Sequence, residues 1–247
     1  MKKPTAVVVG VGAEQGIGAA VCRRFAVGGH HVIVAGRTLA KVSQVAHAIV
    51  AAGGSAEPFA VDATNEADVK ALFDHAMAAT EEREPADSIV FNAASLNRPM
   101  EFRELSARDF EDVWRQNCFA GFLVGREAAI RLAPLGRGTV LFTGASGSLR
   151  GRPRFAQFAA AKSGLRMLAQ SMAREFGPLG LHVAHIVIDG GVAGDRLKSA
   201  LPDVAERAGK DGLLDVDDVA EHYWMLHRQP RSTWTHELDL RPYKESF

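Results

Sequence analysis

Short runs of β-branched and other apolar residues alternate along the chain with longer segments whose apolar positions recur every three to four residues. The short runs lie at 5–10, 31–35, 56–61, 88–92, 139–143, 182–188 and 237–240, and each reads as a strand. Helical periods lie at 17–27, 39–52, 66–79, 107–132, 155–176 and 216–226. Such alternation is the pattern of parallel strands joined by crossover helices. Runs such as Val7-Val8-Val9 and Ile186-Val187-Ile188 are apolar at successive positions, so both faces of the sheet should be covered by helices. The expected fold class is α/β: a single doubly wound domain over 1–247, with a seven-stranded parallel sheet flanked by helices on both faces. No repeat or long Pro/Gly/Ser linker divides it. The segment 190–214 has mixed charge and weak periodicity between the last two strands. It reads either as a substrate-side segment beyond a strand's carboxyl end or as a plain surface excursion.

The first strand runs into Gly10-Val11-Gly12-Ala13-Glu14-Gln15-Gly16-Ile17-Gly18, and a helix follows. Glycines at 12, 16 and 18 remove Cβ atoms where a backbone must turn, approach a pyrophosphate and let the helix pack close to the sheet. At the first strand-to-helix turn of an alternating chain, this is a Rossmann-type dinucleotide signature. A carboxylate for an NAD ribose belongs at the end of the second strand, which instead reads Ala35-Gly36-Arg37-Thr38. With a guanidinium there and no carboxylate to repel a 2′-phosphate, NADP is the better electrostatic match, unless Arg37 is a solvated helix-entry residue. Asp62 closes the third strand as an acceptor for the adenine amino group or, with Thr64 and Glu66 following, as a helix N-cap.

Composition narrows the partners. Among 247 residues, 29 Lys plus Arg balance 29 Asp plus Glu, so no global field attracts nucleic acid or an anionic bilayer. No window supplies the roughly 18 consecutive apolar residues of a spanning helix, and Lys2-Lys3 before a short apolar run is too brief for a secretory signal. Cys22 and Cys118 lie far apart, which fits a reducing compartment. A cytoplasmic protein with a small-molecule substrate is expected. His182 and His185 are three apart on a strand, and His222 and His227 five apart on a helix, so neither pair converges and no metal site is expected. Arg150, Arg152 and Arg154 alternate in a loop that reads as solvated rather than pocket-facing.

Gly12, Gly16, Gly18, the Asn92-Ala93-Ala94 turn, Asn117 and Lys162, in that order and spacing, resemble the short-chain dehydrogenase/reductase family from Thr5 to Leu240. The resemblance implies hydride transfer between a nicotinamide and a carbonyl or alcohol. It also implies a Tyr as proton donor or acceptor, a Lys four residues later to stabilise its anion, and a supporting Ser and Asn. Here the Lys is Lys162, and position 158 is Phe. The family's Ser aligns with Ala145, and Ser146 stands one residue out of register. Asp189-Gly190 replaces the usual Pro-Gly, and Gly194 stands where a Thr commonly contacts the nicotinamide amide. Both tyrosines, Tyr223 and Tyr243, come late in the chain.

The candidate catalytic positions are thus Asn117, Lys162, Ser146 and Phe158. The candidate cofactor-binding positions are Gly12, Gly16, Ile17, Gly18, Arg37, Asp62, Asn92, Ala93, Lys162 and Gly190. A small-residue face at Ala156, Ala159, Ala160, Ala161 and Gly164 belongs to a helix that forms subunit contacts in the family, which implies a homodimer or homotetramer. Two functions remain open: an NADP(H)-dependent oxidoreductase with weakened or altered chemistry, and a catalytically silent NADP(H)-binding regulatory or structural protein.

Overall fold

The structure is a computed structural model, and it describes residues 2–95 and 97–246. Its seven strands are β1 (Lys3–Val9), β2 (His31–Gly36), β3 (Ser55–Ala60), β4 (Arg83–Phe91), β5 (Thr139–Thr143), β6 (His182–Ile188) and β7 (Glu237–Leu240). All neighbours pair in parallel in the order β3-β2-β1-β4-β5-β6-β7. The order reverses between β1 and β4, and at that switch point the carboxyl ends of the strands leave a crevice.

The helices divide between the two faces. α1 (Ile17–Val27), α2 (Leu39–Ala51) and α9 (Val216–His227) cover one face, burying Val21, Phe25, Val45, Ile49, Tyr223 and Leu226 against Val8, Val32, Val34 and Ile186. α3 (Glu66–Met77), α5 (Ala120–Leu132) and α6 (Ala156–Phe176) cover the other, burying Leu72, Phe73, Leu123, Val124 and Leu165 against Val7, Ile33, Phe91 and Phe142. β1 therefore sends alternate valines into two separate cores, as its unbroken apolar run requires.

Two expectations are corrected. The segment 107–132 is not one regular helix: α4 (Ala107–Trp114) passes through a π-turn at Arg115–Phe119 before α5 begins. The insertion sits around Asn117, whose Nδ2 donates to Val113 O and to Ser95 Oγ, both at 2.8 Å. Such a turn inside a helix marks a place where side-chain position overrides regular geometry. β4 begins five residues before the expected 88, because Arg83-Glu84-Pro85 hides the strand. There Lys3 pairs with Arg83 but Thr5 with Ala86, so Pro85 falls in a bulge where a ladder donor is dispensable. The segment 190–214, where weak periodicity marked no element, carries α7 (Asp195–Ala200) and α8 (Val204–Ala208), with a bridge between Val192 and Leu214.

Helix starts differ in a way that matters for the site. Asn65 caps α3, Ser106 caps α4 and Asp215 caps α9, each through its side chain. α1, like α2 and α6, starts with no side-chain cap and no acidic residue in its first turn, and its start at Gly16 lines the cleft at the carboxyl edge of the sheet. Its amino-terminal amides are left for an anion.

A cleft at the carboxyl edge of the sheet

A cleft of about 920 Å³ opens over the carboxyl ends of β1 to β6. Its wall collects Gly12, Gly16, Ile17, Gly18, Arg37, Asp62, Asn92, Ala93, Ser146, Phe158, Lys162 and Gly190 from seven separate places in the chain. Of the candidate residues only Asn117 is not part of the wall. It is fully buried behind Ser95, which does face the cleft.

At the β1–α1 turn the glycines have different jobs. A Cβ on Gly10, at φ +96°, would sit 2.2 Å from Ala93 N, so this residue serves the fold. A Cβ on Gly12 would meet nothing within 4 Å, so it would project into the cleft and occupy the space next to the uncapped helix. Asn92 braces the turn by donating to Gly10 O at 3.2 Å. Asp62 is not the N-cap of α3, which is Asn65; its Oδ1 accepts from the amide and the hydroxyl of Thr64 at 2.9 and 2.8 Å. The bonds fix the carboxylate at the cleft edge.

The segment after β6 closes over the opening. Gln15 N donates to Asp195 Oδ2 at 3.0 Å, and Asp195 N donates back to Gln15 O at 2.9 Å. The approach is close enough that a Cβ on Gly194 would lie 2.5 Å from Gln15 O, which accounts for glycine at that position. Arg196, next along, reaches across to donate to Ala94 O at 3.2 Å. Burial pulls its guanidinium below the usual range, and the charge of Arg37 adds to the effect. Arg37, Lys41 and Arg196 all line the cleft. Among the described residues none of the three has a carboxylate partner. Sequence reasoning missed Arg196 and Lys41, because neither sits at a motif position. A basic residue inside 190–214 was the only available signal.

At the other end of the cleft Lys162 is 2 % exposed and donates from Nζ to Thr143 O at 2.9 Å. Burial lowers its pKa to about 8, with the Arg196 charge contributing. The ring of Phe158 lies one helical turn before it on α6, its centroid 5.9 Å from Nζ. Ser146 opens a short 3₁₀ turn on the wall, whereas Ser148 turns away to bond Ala145 O at 2.7 Å. Neither tyrosine lines the cleft. Tyr223 is buried under β5 with its hydroxyl 2.7 Å from Thr143 Oγ1, and burial drives its phenol pKa up. Tyr243 is 74 % exposed in the tail.

Arg150 departs from the solvated state expected of the arginine loop. Arg150 and Arg152 line the cleft, and Arg150 donates to both oxygens of the buried Asp189 at 2.8 and 3.0 Å. Arg152 and Arg154 both stay more than half exposed, Arg152 3.7 Å from Glu245 and Arg154 2.9 Å from Glu101. His182 and His185 do not meet: one stacks on Trp234, and the other lies beside Glu237.

A doubly wound parallel sheet, a topological switch point, and an uncapped helix start behind a glycine with open space define a dinucleotide-binding α/β protein. The family model for short chain dehydrogenases matches residues 6–203, and the chain belongs to the short-chain dehydrogenase/reductase family. Members bind a nicotinamide cofactor, and the family is typically oligomeric and acts on small molecules. Relatives include an uncharacterized oxidoreductase of Bacillus subtilis (strain 168), 31% identical over 86% of this chain and 30% of that protein. Another is gluconate 5-dehydrogenase of Gluconobacter oxydans (strain 621H), 30% identical over 70% of this chain and 66% of that protein. The chain thus spans less than two thirds of the length of either relative. A solved short-chain dehydrogenase from Rhodopseudomonas palustris superposes with a TM-score of 0.83 at 37% identity, covering 98% of this chain and all of that one. Among the described residues no helix is long and apolar enough to cross a membrane.

Proposed function

We propose that the protein is an NADP(H)-dependent oxidoreductase for a small carbonyl or alcohol substrate, in which Lys162 rather than a phenol serves the reacting oxygen. The observation that carries this reading is one cleft with two carboxylate-free cations, Arg37 and Lys41, at the nucleotide end and a desolvated lysine at the other. Gly12, Gly16, Ile17 and Gly18 would hold the pyrophosphate on main-chain amides. Arg37 and Lys41 would flank a 2′-phosphate, Arg196, held at Ala94 O, would face the middle of the cofactor, and Asp62 would accept from the adenine amino group. Asn92 and Ala93 would support the middle of the cofactor through the backbone, with Gly190 beneath it. When bound, the cofactor supplies or receives the hydride.

The chain's own task is the proton. Hydride addition to a carbonyl leaves negative charge on oxygen, and a donor poised near neutral pH is the most useful. Lys162 has three hydrogens, of which Thr143 O engages one. An Nζ–H passes to the alkoxide as it forms, leaving a neutral amine; in the oxidative direction that amine takes the alcohol proton. Ser146 donates to the same oxygen, and Asn117 holds Ser95 and the π-turn in place. The segment 190–214 encloses the substrate.

Rapid-mixing oxidation of bound NADPH with a panel of small carbonyls tests the proposal. The expected rate falls as pH rises through about 8, the protonated lysine being the active form. Lys162→Met should lower it by roughly 10²-fold or more. Phe158 and Ala145 favour a second reading, a silent NADP(H)-binding partner, which tight NADPH binding without any oxidation would establish.

An aromatic ladder supports a homo-oligomer: Trp114 stacks on Phe119 and Phe119 on Phe122, with Trp114 and Phe122 partly exposed on α4 and α5. Light scattering on the eluting protein would report a dimer or tetramer. Free thiols at Cys22 and Cys118 support a cytoplasmic setting.

A further inference from the structure

At the end of the sheet away from the cleft, three metal-ligating side chains from distant parts of the chain converge. His30 follows the turn after α1, Asp87 lies in β4, and His227 ends α9. One ring nitrogen of each histidine and one carboxylate oxygen all lie within 4.8 Å of one another. A second observation points to a ligand. The His30 side chain is 95 % buried, yet neither ring nitrogen has a hydrogen-bond partner, and Asp87 Oδ1 is also buried and unpartnered. His30 Nε2 and Asp87 Oδ1 stand 3.4 Å apart without the alignment of a hydrogen bond. A buried imidazole with both nitrogens idle is costly. That separation, however, matches the edge of a tetrahedron around an ion with ligands at about 2.0–2.1 Å, which is roughly 3.3–3.4 Å.

We propose that His30, Asp87 and His227 bind a divalent transition-metal ion of the zinc class, with water as the fourth ligand. The other carboxylate oxygen, Oδ2, faces Arg137 at 3.9 Å, which leaves Oδ1 for the ion. Thr139 Oγ1, 3.1 Å from His227 Nδ1, orients that ring. A cavity of about 220 Å³ lined by Asp87, Thr139, His182 and His227 gives the ion a way in and the water a place. The site is structural: it ties α9 and the α1–β2 turn to the middle of the sheet, far from the nucleotide. Spacing along the chain pairs His227 with His222 and so conceals the set.

The full-length protein is stripped with a chelator, incubated with zinc chloride, desalted and assayed for metal by mass spectrometry. About one zinc per chain is expected. Asp87→Asn and His227→Gln should each lower retention at least tenfold, and His222→Gln should leave it unchanged. Cobalt(II) should give the intense visible band of a tetrahedral site and quench Trp224, whose ring lies 5.6 and 5.7 Å from those of His30 and His227. Wild-type protein that retains no zinc overturns the proposal, as do variants that retain as much as wild type. If the variants do not fold, the cobalt titration of the wild type decides. A tetrahedral band with quenching supports the site, and the absence of either overturns it.

Discussion

Gly12→Ala separates the nucleotide site from the fold. The added methyl meets no atom within 4 Å, and Gly12 is not among the glycines with positive φ, so the folded chain accepts it without strain. Alanine also narrows the unfolded ensemble, by about 0.4–1 kcal/mol, so the melting temperature should hold or rise slightly. Binding behaves differently. The methyl projects into the cleft beside the uncapped start of α1, where a pyrophosphate must come within hydrogen-bond reach of the amides. A hydrogen bond to a charged phosphate is worth about 1.5–3 kcal/mol, so losing one weakens affinity roughly 10- to 150-fold. Gly10→Ala is the contrast: with φ +96° and a Cβ 2.2 Å from Ala93 N, it should cost stability by about 1–3 kcal/mol or more. The assays are thermal unfolding and calorimetric titration with NADPH, run on both variants. A Gly12→Ala protein that binds NADPH as well as wild type would refute the placement of the pyrophosphate. One that melts well below wild type would refute the statement that this glycine serves the ligand rather than the fold.

Phe158→Tyr places a phenol beside an already desolvated Lys162, and kcat should rise by less than the roughly 10²- to 10⁴-fold that general acid help supplies in full, because Lys162 already donates to the same oxygen. An unchanged kcat would mean that the ring does not face the reacting oxygen. Arg150→Ala leaves Asp189 buried without its bidentate partner. Because the arginine is 32 % exposed, the cost should be about 2 kcal/mol rather than the 3–5 typical of a fully buried pair, read from denaturant unfolding. Glu57 is held down to about pKa 2, first by its hydrogen bond to His31 and then by His75, against the opposing effect of burial. Its contribution to stability is complete above about pH 4.5 and is lost as pH falls toward about 2. The stability gap between wild type and Glu57→Gln should therefore shrink across that window; a constant gap would show that the carboxylate is not the source.

The sheet was legible because β1, β2 and β6 are apolar at consecutive positions, and only a strand covered on both faces needs that. β4 was legible only from Ser88 onward: Arg83, Glu84, Pro85 and Asp87 carry no strand signal, and the bulge that admits Pro85 exists only through pairing with β1. The span 107–132 was readable as helical, but its π-turn depends on Asn117 reaching Ser95, a contact across 22 positions. Gly12, Gly16, Gly18 and Arg37, which line one cleft, could be singled out because they follow one another along a single βαβ unit. Arg196, the Arg150–Asp189 pair and the His30–Asp87–His227 cluster could not be, because each joins residues that only the folded sheet brings together. Arg150 alone of its loop was misread, for the same reason: its partner Asp189 lies 39 residues later.

The most direct test of the account is calorimetric titration of the wild-type protein with NADPH and with NADH under the same salt. The cleft predicts one NADPH per chain, bound at least about tenfold more tightly than NADH because Arg37 and Lys41 flank the extra phosphate. Equal affinities, a preference for NADH, or no binding of either would contradict it.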